Sequence, residues 1–263
     1  MKKLNLLCVL FIGLLVISCA SDDDTQTITE GDPQNSNGDP QNVVVQKLLS
    51  FSSSLTDSNE IEFMTQLTYT NDNLTKITEN YINIGENVWN YSYTDNELTA
   101  VNSMPITYAN GVLVVEYEFE RDEYFILNNQ VLSQINSFRN DPSEAFQFSF
   151  KVEYNYTDNN ITEKRYLDEN DVLTGSTTYE YDTKNNILKG LDNLNKWIFP
   201  YADLLGGANN NITSRKEFDE NGTLLRDFSY QYEYDSNDFP TKRIRTFTSN
   251  GTSTVKTNLY TYE

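Results

Sequence analysis

The sequence predicts an all-β domain of consecutive antiparallel hairpins, forming a curled, open or partly closed sheet with one short helical insert. Three observations predict it. A turn phrase rich in Asn, Asp and Gly recurs along the chain. Large apolar residues stand two apart ahead of each turn, which places both on one face of a strand. One stretch changes to a three-to-four apolar spacing, the period of a helix.

The chain opens with Lys2 and Lys3, then an apolar run from Leu4 to Ile17 broken only by Asn5 and Gly13, then Val16-Ile17-Ser18-Cys19. A charged start, a short apolar run and a small residue before the cut describe a secretory signal peptide over 1–18, and the run is too short to span a bilayer. With a cysteine at the cut, the segment resembles a bacterial lipoprotein signal with its lipobox. The resemblance implies that Cys19 becomes the mature N-terminus, carries the lipid and anchors the chain to a membrane. Ser21-Asp22-Asp23-Asp24 resembles the acidic export signal of Bacteroidetes-type lipoproteins, which implies an outer-membrane lipoprotein facing the cell exterior. An ordinary solvated tether would look the same.

Residues 19–42 are polar and acidic, with a direct repeat, Gly31-Asp-Pro-Gln-Asn35 and Gly38-Asp-Pro-Gln-Asn42. Such a segment buries too little apolar surface to offset the cost of ordering it, and reads as a flexible tether. Apolar pattern begins at Val43, so 43–263 is expected to form one large β domain.

The hairpin phrase then recurs. Its copies are Leu67-Thr-Tyr69-Thr-Asn-Asp-Asn73-Leu74, Tyr91-Ser-Tyr93-Thr-Asp-Asn-Glu-Leu98 and Ile106-Thr-Tyr108-Ala-Asn110-Gly111-Val-Leu113. Tyr154-Asn-Tyr156-Thr-Asp-Asn-Asn-Ile161, Tyr179-Glu-Tyr181-Asp-Thr-Lys-Asn-Asn-Ile187 and Tyr232-Glu-Tyr234-Asp-Ser-Asn-Asp-Phe239 follow, with variants at 166–173 and 216–224. Asn, Asp and Gly supply the left-handed or Asx-type turn a hairpin needs, and the next aliphatic residue starts the return strand. This phrasing resembles the YD (Rhs-type) repeat over most of residues 60–262, with Thr for Asp and Asn for Gly in several copies. Combined with the lipobox, it is similar to Bacteroidetes surface lipoproteins of unknown function. The resemblance implies a fold and very little function.

From Ile187 the apolar residues fall at Leu188, Leu191, Leu194, Trp197, Ile198, Tyr201, Leu204 and Leu205, predicting a helical insert at about 188–206. Pro200 would kink it and Gly206-Gly207 would end it. Its simplest role is a plug on the concave face of the sheet. A sharper one is a wall of a ligand cleft presenting Trp197 and Tyr201.

Composition removes much chemistry. The 263 residues carry a net charge of −20 and no histidine. Losing Lys2 and Lys3 with the signal leaves 17 basic against 39 acidic residues, or −22. That charge repels phosphate backbones, so nucleic acid is a poor partner. The cysteines are Cys8, lost with the signal, and Cys19, so Ser-His-Asp, Cys-His and ordinary zinc sites cannot form, and no cofactor is implied. Carboxylate chemistry and oxygen-ligated cations survive.

Glu116, Glu118 and Glu120 would share a strand face opposite Val115, Tyr117 and Phe119. Such a row could tune carboxylate pKa values, but more often it is the solvated side of an edge strand. Lys151 and Glu153 face away from Phe148, Phe150, Val152 and Tyr154 and read as a cross-strand ion pair. Asp168-Glu-Asn170-Asp171, Asp219-Glu-Asn221-Gly222 and Asp235-Ser-Asn237-Asp238 suggest calcium, yet none continues into a twelve-residue loop ending in a bidentate Glu. Turn chemistry explains them. The 18 Tyr and 14 Phe suit sugar stacking or a buried core equally. Two functions stay open: a non-catalytic binding or scaffold module for a glycan or protein partner, which is favoured, and a carboxylate-dependent, glycosidase-like hydrolase with a cleft beside the insert.

Overall fold

A computed structural model describes residues 47–55, 61–82, 84–128, 130–189, 191, 209–249 and 251–263. Cys19, the tether and most of the expected insert, with Trp197 and Tyr201, lie outside the described residues. The unit that begins at Val43 runs to Glu263.

Sixteen strands follow one another: β1 (Leu48–Leu55), β2 (Ile61–Thr70), β3 (Asn73–Tyr81), β4 (Gly85–Thr94), β5 (Glu97–Val101), β6 (Met104–Ala109), β7 (Val112–Glu116) and β8 (Glu120–Leu127). The second half comprises β9 (Gln130–Phe138), β10 (Gln147–Thr157), β11 (Asn160–Leu167), β12 (Leu173–Tyr181), β13 (Ile212–Asp219), β14 (Leu224–Tyr234), β15 (Pro240–Ser249) and β16 (Thr252–Tyr262). Each pairs antiparallel with its sequence neighbours, and β1 also pairs with β16, so the sheet is a closed barrel. The expected open or partly closed sheet is corrected. An even number of up-and-down strands brings the first and last together antiparallel, and Phe51 opposite Tyr260 completes the ladder.

The turn phrase works as expected at most copies. Asn71 and Asp72 (φ 49° and 69°), Asp95 and Asn96 (52°, 65°), Asn110 and Gly111 (54°, 78°), and Asp158 and Asn159 (51°, 60°) are successive left-handed residues. Two such residues in a row are what a type I′ hairpin needs to match strand twist. Asn102-Ser103 (49°, 66°) makes a further turn of this kind between β5 and β6.

A second class of turn is led by aspartate. Asp168 Oδ1 accepts the amides of Asn170 (2.8 Å) and Val172 (2.9 Å). Asp219 does the same for Asn221 (2.9 Å) and Thr223 (2.7 Å), and Asp235 for Asn237 and Phe239 (both 2.9 Å). These amide bonds hold the Asp168 and Asp219 carboxyls below their usual pKa. The three candidate calcium loops are therefore turns whose aspartates bind their own backbone. Among the described residues no three acids gather as a cation site.

Other expectations fail. The phrase at Tyr179–Ile187 is not a hairpin: β12 ends at Tyr181 and β13 starts at Ile212. Asp182 is taken by the amides of Lys184 (2.9 Å) and Asn211 (3.1 Å) and by the Tyr234 hydroxyl. Most of the helical insert expected at about 188–206 lies outside the described residues, and where it should begin there is a turn. Lys189 donates to Asn186 O and Leu191 to Leu188 O, three residues back, and Ile187–Lys189 form a turn. Among the described residues there is no helix. Ile187 and Leu188 are buried core residues of this connection. The Glu116–Glu120 row is not a strand face either, because β7 ends at Glu116, β8 starts at Glu120, and Tyr117 N–H donates to Glu120 O (2.7 Å).

Inside and outside are set by register. Leu67, Ile77, Tyr91, Val115, Val152, Tyr179, Phe228 and Tyr260 are buried and share the inner face. The outer face carries charge at mid-strand, including Glu153 opposite Arg165 and Glu233 opposite Lys242. A barrel that spans lipid needs an outward apolar band. Charge at mid-strand marks the described outer face, and aromatic residues line the inside.

The two ends differ. One bears the β2–β3, β4–β5, β6–β7, β8–β9, β10–β11 and β14–β15 turns and the 182–211 connection. Here the inner residues are buried, and a tyrosine, in four cases the second aromatic of the phrase, reaches to the preceding strand. Tyr69 hydroxyl donates to Leu48 O (3.0 Å), Tyr93 to Leu74 O (2.9 Å), Tyr156 to Val131 O (2.8 Å), Tyr181 to Ile161 O (2.6 Å), Tyr232 to Ile212 O (2.8 Å) and Tyr262 to Pro240 O (2.8 Å). Each carbonyl lies on the first or second residue of a strand, so these bonds stitch neighbouring strands together at one level. At the other end both faces of the strands are exposed, as at Thr252–Thr254 and Leu224–Arg226. The described wall is thus a cup, buried at one end and open at the other.

Candidate functional site

Three surfaces of the cup carry chemistry. The first is a groove of about 480 Å³ at the closed end, between the β2–β3 and β4–β5 hairpins. Its walls are Thr70, Asn71, Asn73, Thr75, Asp95 and Asn96, with Tyr91 and Tyr93 contributing aromatic surface. The left-handed turns make this possible: Asn71 and the Asp95-Asn96 pair are the residues that tolerate positive φ, and their short polar side chains stay at the surface. Asn73 Nδ2 donates to Asn96 Oδ1 (3.2 Å) and ties the hairpins together. The Tyr91 hydroxyl is buried with no hydrogen-bond partner among the described residues, and burial raises its pKa well above the ordinary phenol value. Asp95 is the single acid of the groove, whereas glycoside hydrolysis needs two carboxyl groups flanking the bond.

The second surface is the inner wall above the aromatic floor, where charge is segregated. Arg215, Arg226, Arg243, Arg245 and Lys256 face inward from β13, β14, β15 and β16. Their acids are Glu217, shared by Arg215 and Arg226 (3.1 Å to the latter), and Glu62, paired with Lys256 (2.5 Å). Elsewhere on the wall, Glu79 and Asp122 face inward and bind amides: Asn87 Nδ2 (3.4 Å) for Glu79, and Gln134 (2.9 Å) and Asn136 (3.0 Å) for Asp122.

The third surface is the open rim. Ile61, Ile82, Ile84, Phe119, Phe138, Val172, Leu224 and Leu225 are exposed there, Ile84 at 84%.

Sequence-expected residues fare unevenly. Tyr91 and Tyr93 of the repeated phrase meet in the groove, while Trp197 and Tyr201 lie outside the described residues. Glu116 stands 3.7 Å from Arg139 and Arg139 Nε donates to Glu118 O (2.8 Å), so these acids belong to a turn contact. Lys151 and Glu153 do pair (3.1 Å), but along one strand; the cross-strand partner of Glu153 is Arg165 (3.3 Å). The cationic wall escaped sequence reasoning because a net charge of −20 conceals it. Its signal was the period-two pair Arg243-Ile244-Arg245, a strand face where two cations should repel.

No family model matches this chain, and no curated protein matches it in sequence. Among the solved structures that resemble it in shape are two porin-like proteins. One is a porin-like protein from Bacteroides uniformis, 12% identical, covering 82% of this chain and 96% of that one with a TM-score of 0.44. The other, a porin-like protein from Bacteroides vulgatus, is 12% identical and covers 72% of this chain and 98% of that one, with a TM-score of 0.35. Likeness at this level carries no functional argument.

Proposed function

We propose that the chain is a lipid-anchored, non-catalytic binding module of the outer membrane, held by Cys19 on its tether and displaying a water-facing cup to a glycan partner. The groove is the observation that carries this reading. Amide, hydroxyl and carboxylate groups from two rigid hairpins line it beside tyrosine rings, the combination that fixes sugar hydroxyls while packing the apolar face of a sugar ring. One acid in the groove favours binding over hydrolysis. The charged outer wall fits a barrel that is carried by a membrane rather than inserted in it. The lipobox and the YD phrasing support a surface lipoprotein of the Bacteroidetes type.

The test is a glycan array probed with the mature chain and with Asn71→Ala and Asn96→Ala variants. Binding by the parent and its loss in both variants supports the reading. Binding unchanged by either substitution removes the groove from it, and turnover of a bound glycan would favour the hydrolase. For the anchor, labelling with a clickable fatty acid should mark the parent and not Cys19→Ala.

A further inference from the structure

We propose that the inward guanidinium groups of Arg215, Arg243 and Arg245 form a binding site for an oxyanion, the carboxylate, sulfate or phosphate group of a ligand that enters the cup at its open end. This site is separate from the groove and stands or falls independently of it.

The three arginines flank one aromatic stripe. Phe228 and Tyr230 are two apart on β14 and face inward; Arg215 on β13 is opposite Phe228, and Arg245 on β15 is opposite Tyr230. The Arg215 guanidinium lies over the Phe228 ring at 4.9 Å and that of Arg243 over the Tyr230 ring at 5.6 Å. Cations from two strands therefore converge on the same two rings.

Their charge is only partly neutralised: Arg215 pairs with Glu217, and Arg243 and Arg245 have no acid partner among the described residues. Arg243 is 8% exposed, and its side-chain bonds go to Asn258 Oδ1 (3.3 and 3.0 Å) and to the Tyr232 hydroxyl. Arg245 has no hydrogen bond and no ion pair among the described residues. Burial and then the charges of Arg243 and Arg215 push its pKa down, against Tyr230 and against Glu62, which already pairs with Lys256. Arg215 shares Glu217 with Arg226, and its Nε is buried without a partner. Five inward cations of β13–β16 thus face two acids, Glu217 and, from β2, Glu62. Arginine cannot escape by losing its proton, so a buried, unpaired cluster is costly unless an anion joins it. Guanidinium forks match a two-oxygen edge, the geometry shared by carboxylate, sulfate and phosphate.

Access exists. Side-chain exposure falls inward from 58% at Arg226 to 18% at Arg215, and the strands on this side are exposed on both faces at the open end. The chain's net charge of −20 repels free anions, so the site favours a ligand whose remaining bulk contacts the cup.

The experiment follows thermal unfolding and isothermal titration of the full chain with sodium phosphate, sodium sulfate and sodium glucuronate at fixed ionic strength. A saturable rise in Tm with at least one probe is expected, and the preferred probe identifies the class of oxyanion. Arg245→Gln should weaken that binding at least tenfold, Arg245→Lys less, and Arg165→Gln on the outer wall not at all. Arg245 is only half-buried, so its variants should fold even if Arg243→Gln does not. No saturable response to any of the three, or equal responses in the parent and Arg245→Gln, overturns the proposal. Such a result would make the cluster a structural one, held by Asn258 and the ring faces.

Discussion

The two ends of the barrel differ in sequence and in role: the six full copies of the turn phrase fall at the closed end, and only the variants at 166–173 and 216–224 turn at the open end. At the closed end, tight Asn/Asp turns, buried aromatics and six tyrosine-to-carbonyl bonds build a floor. At the open end the connections include aspartate-led turns and irregular loops, and apolar side chains such as Ile84, Val172 and Leu225 stay in solvent. Burial follows the phrase: the closed end holds the fold and carries the groove on its outer turns, while the open end leaves the inner wall accessible.

The largest effect should separate the ends outright. Phe239 is fully buried and its ring lies 5.5 Å from that of Tyr262. Phe239→Ala should cost about 3–5 kcal/mol in urea unfolding through lost burial and a cavity. Leu225→Ala at the open end, where the side chain is 54% exposed, should stay within about 0.5 kcal/mol. Equal losses would erase the distinction.

A smaller effect sharpens it within the closed end. Tyr181→Phe removes the bond to Ile161 O and should cost about 1 kcal/mol. The matching position on β6, Tyr108, is 60% exposed, and none of its hydrogen bonds holds a neighbouring strand among the described residues. Tyr108→Phe should be silent in the same assay. A silent Tyr181→Phe would mean that the tyrosine ring acts through packing alone.

The smallest concerns the aspartate-led turns of the open end. Backbone amides lower the Asp168 and Asp219 pKa values in the fold, so their contribution is present above the unfolded value of about 3.9 and is lost as pH falls through the folded value. Stability should therefore decline on acidification below about pH 4. Asp219→Asn should flatten that decline and leave the midpoint near neutral pH almost unmoved. An acid limb of unchanged slope would remove these turns from the pH response.

Much of this was legible in the sequence. Period-two aromatics and Asn/Asp turns act over a few residues, so the hairpins, their inner faces and the turn role of Asp168, Asp219 and Asp235 could be read directly. Closure could not, because β1 carries no copy of the phrase and its partner Tyr260 is more than two hundred residues from Phe51. Nor could the difference between Tyr179-Glu-Tyr181-Asp182 and Tyr232-Glu-Tyr234-Asp235. The two read alike, yet Asp235 binds its own loop while Asp182 binds Asn211 and Tyr234 from elsewhere. The groove was half legible: Tyr91 and Tyr93 stood out, but only the sheet brings Asn71 beside Asn96. The cationic wall depends on register between strands, which composition averages away.

The cup itself can be tested by thiol labelling, since residues 20–263 contain no cysteine. Thr254 and Thr177 both face inward, Thr254 exposed near the open end and Thr177 only 2% exposed deeper in the wall. In the chain of residues 20–263, Thr254→Cys should react with a charged maleimide at close to the rate of a free thiol, and Thr177→Cys should react only after unfolding. Equal protection of both would show an interior sealed at each end, and equal reactivity would show one open throughout. Either result would contradict a cup closed at one end.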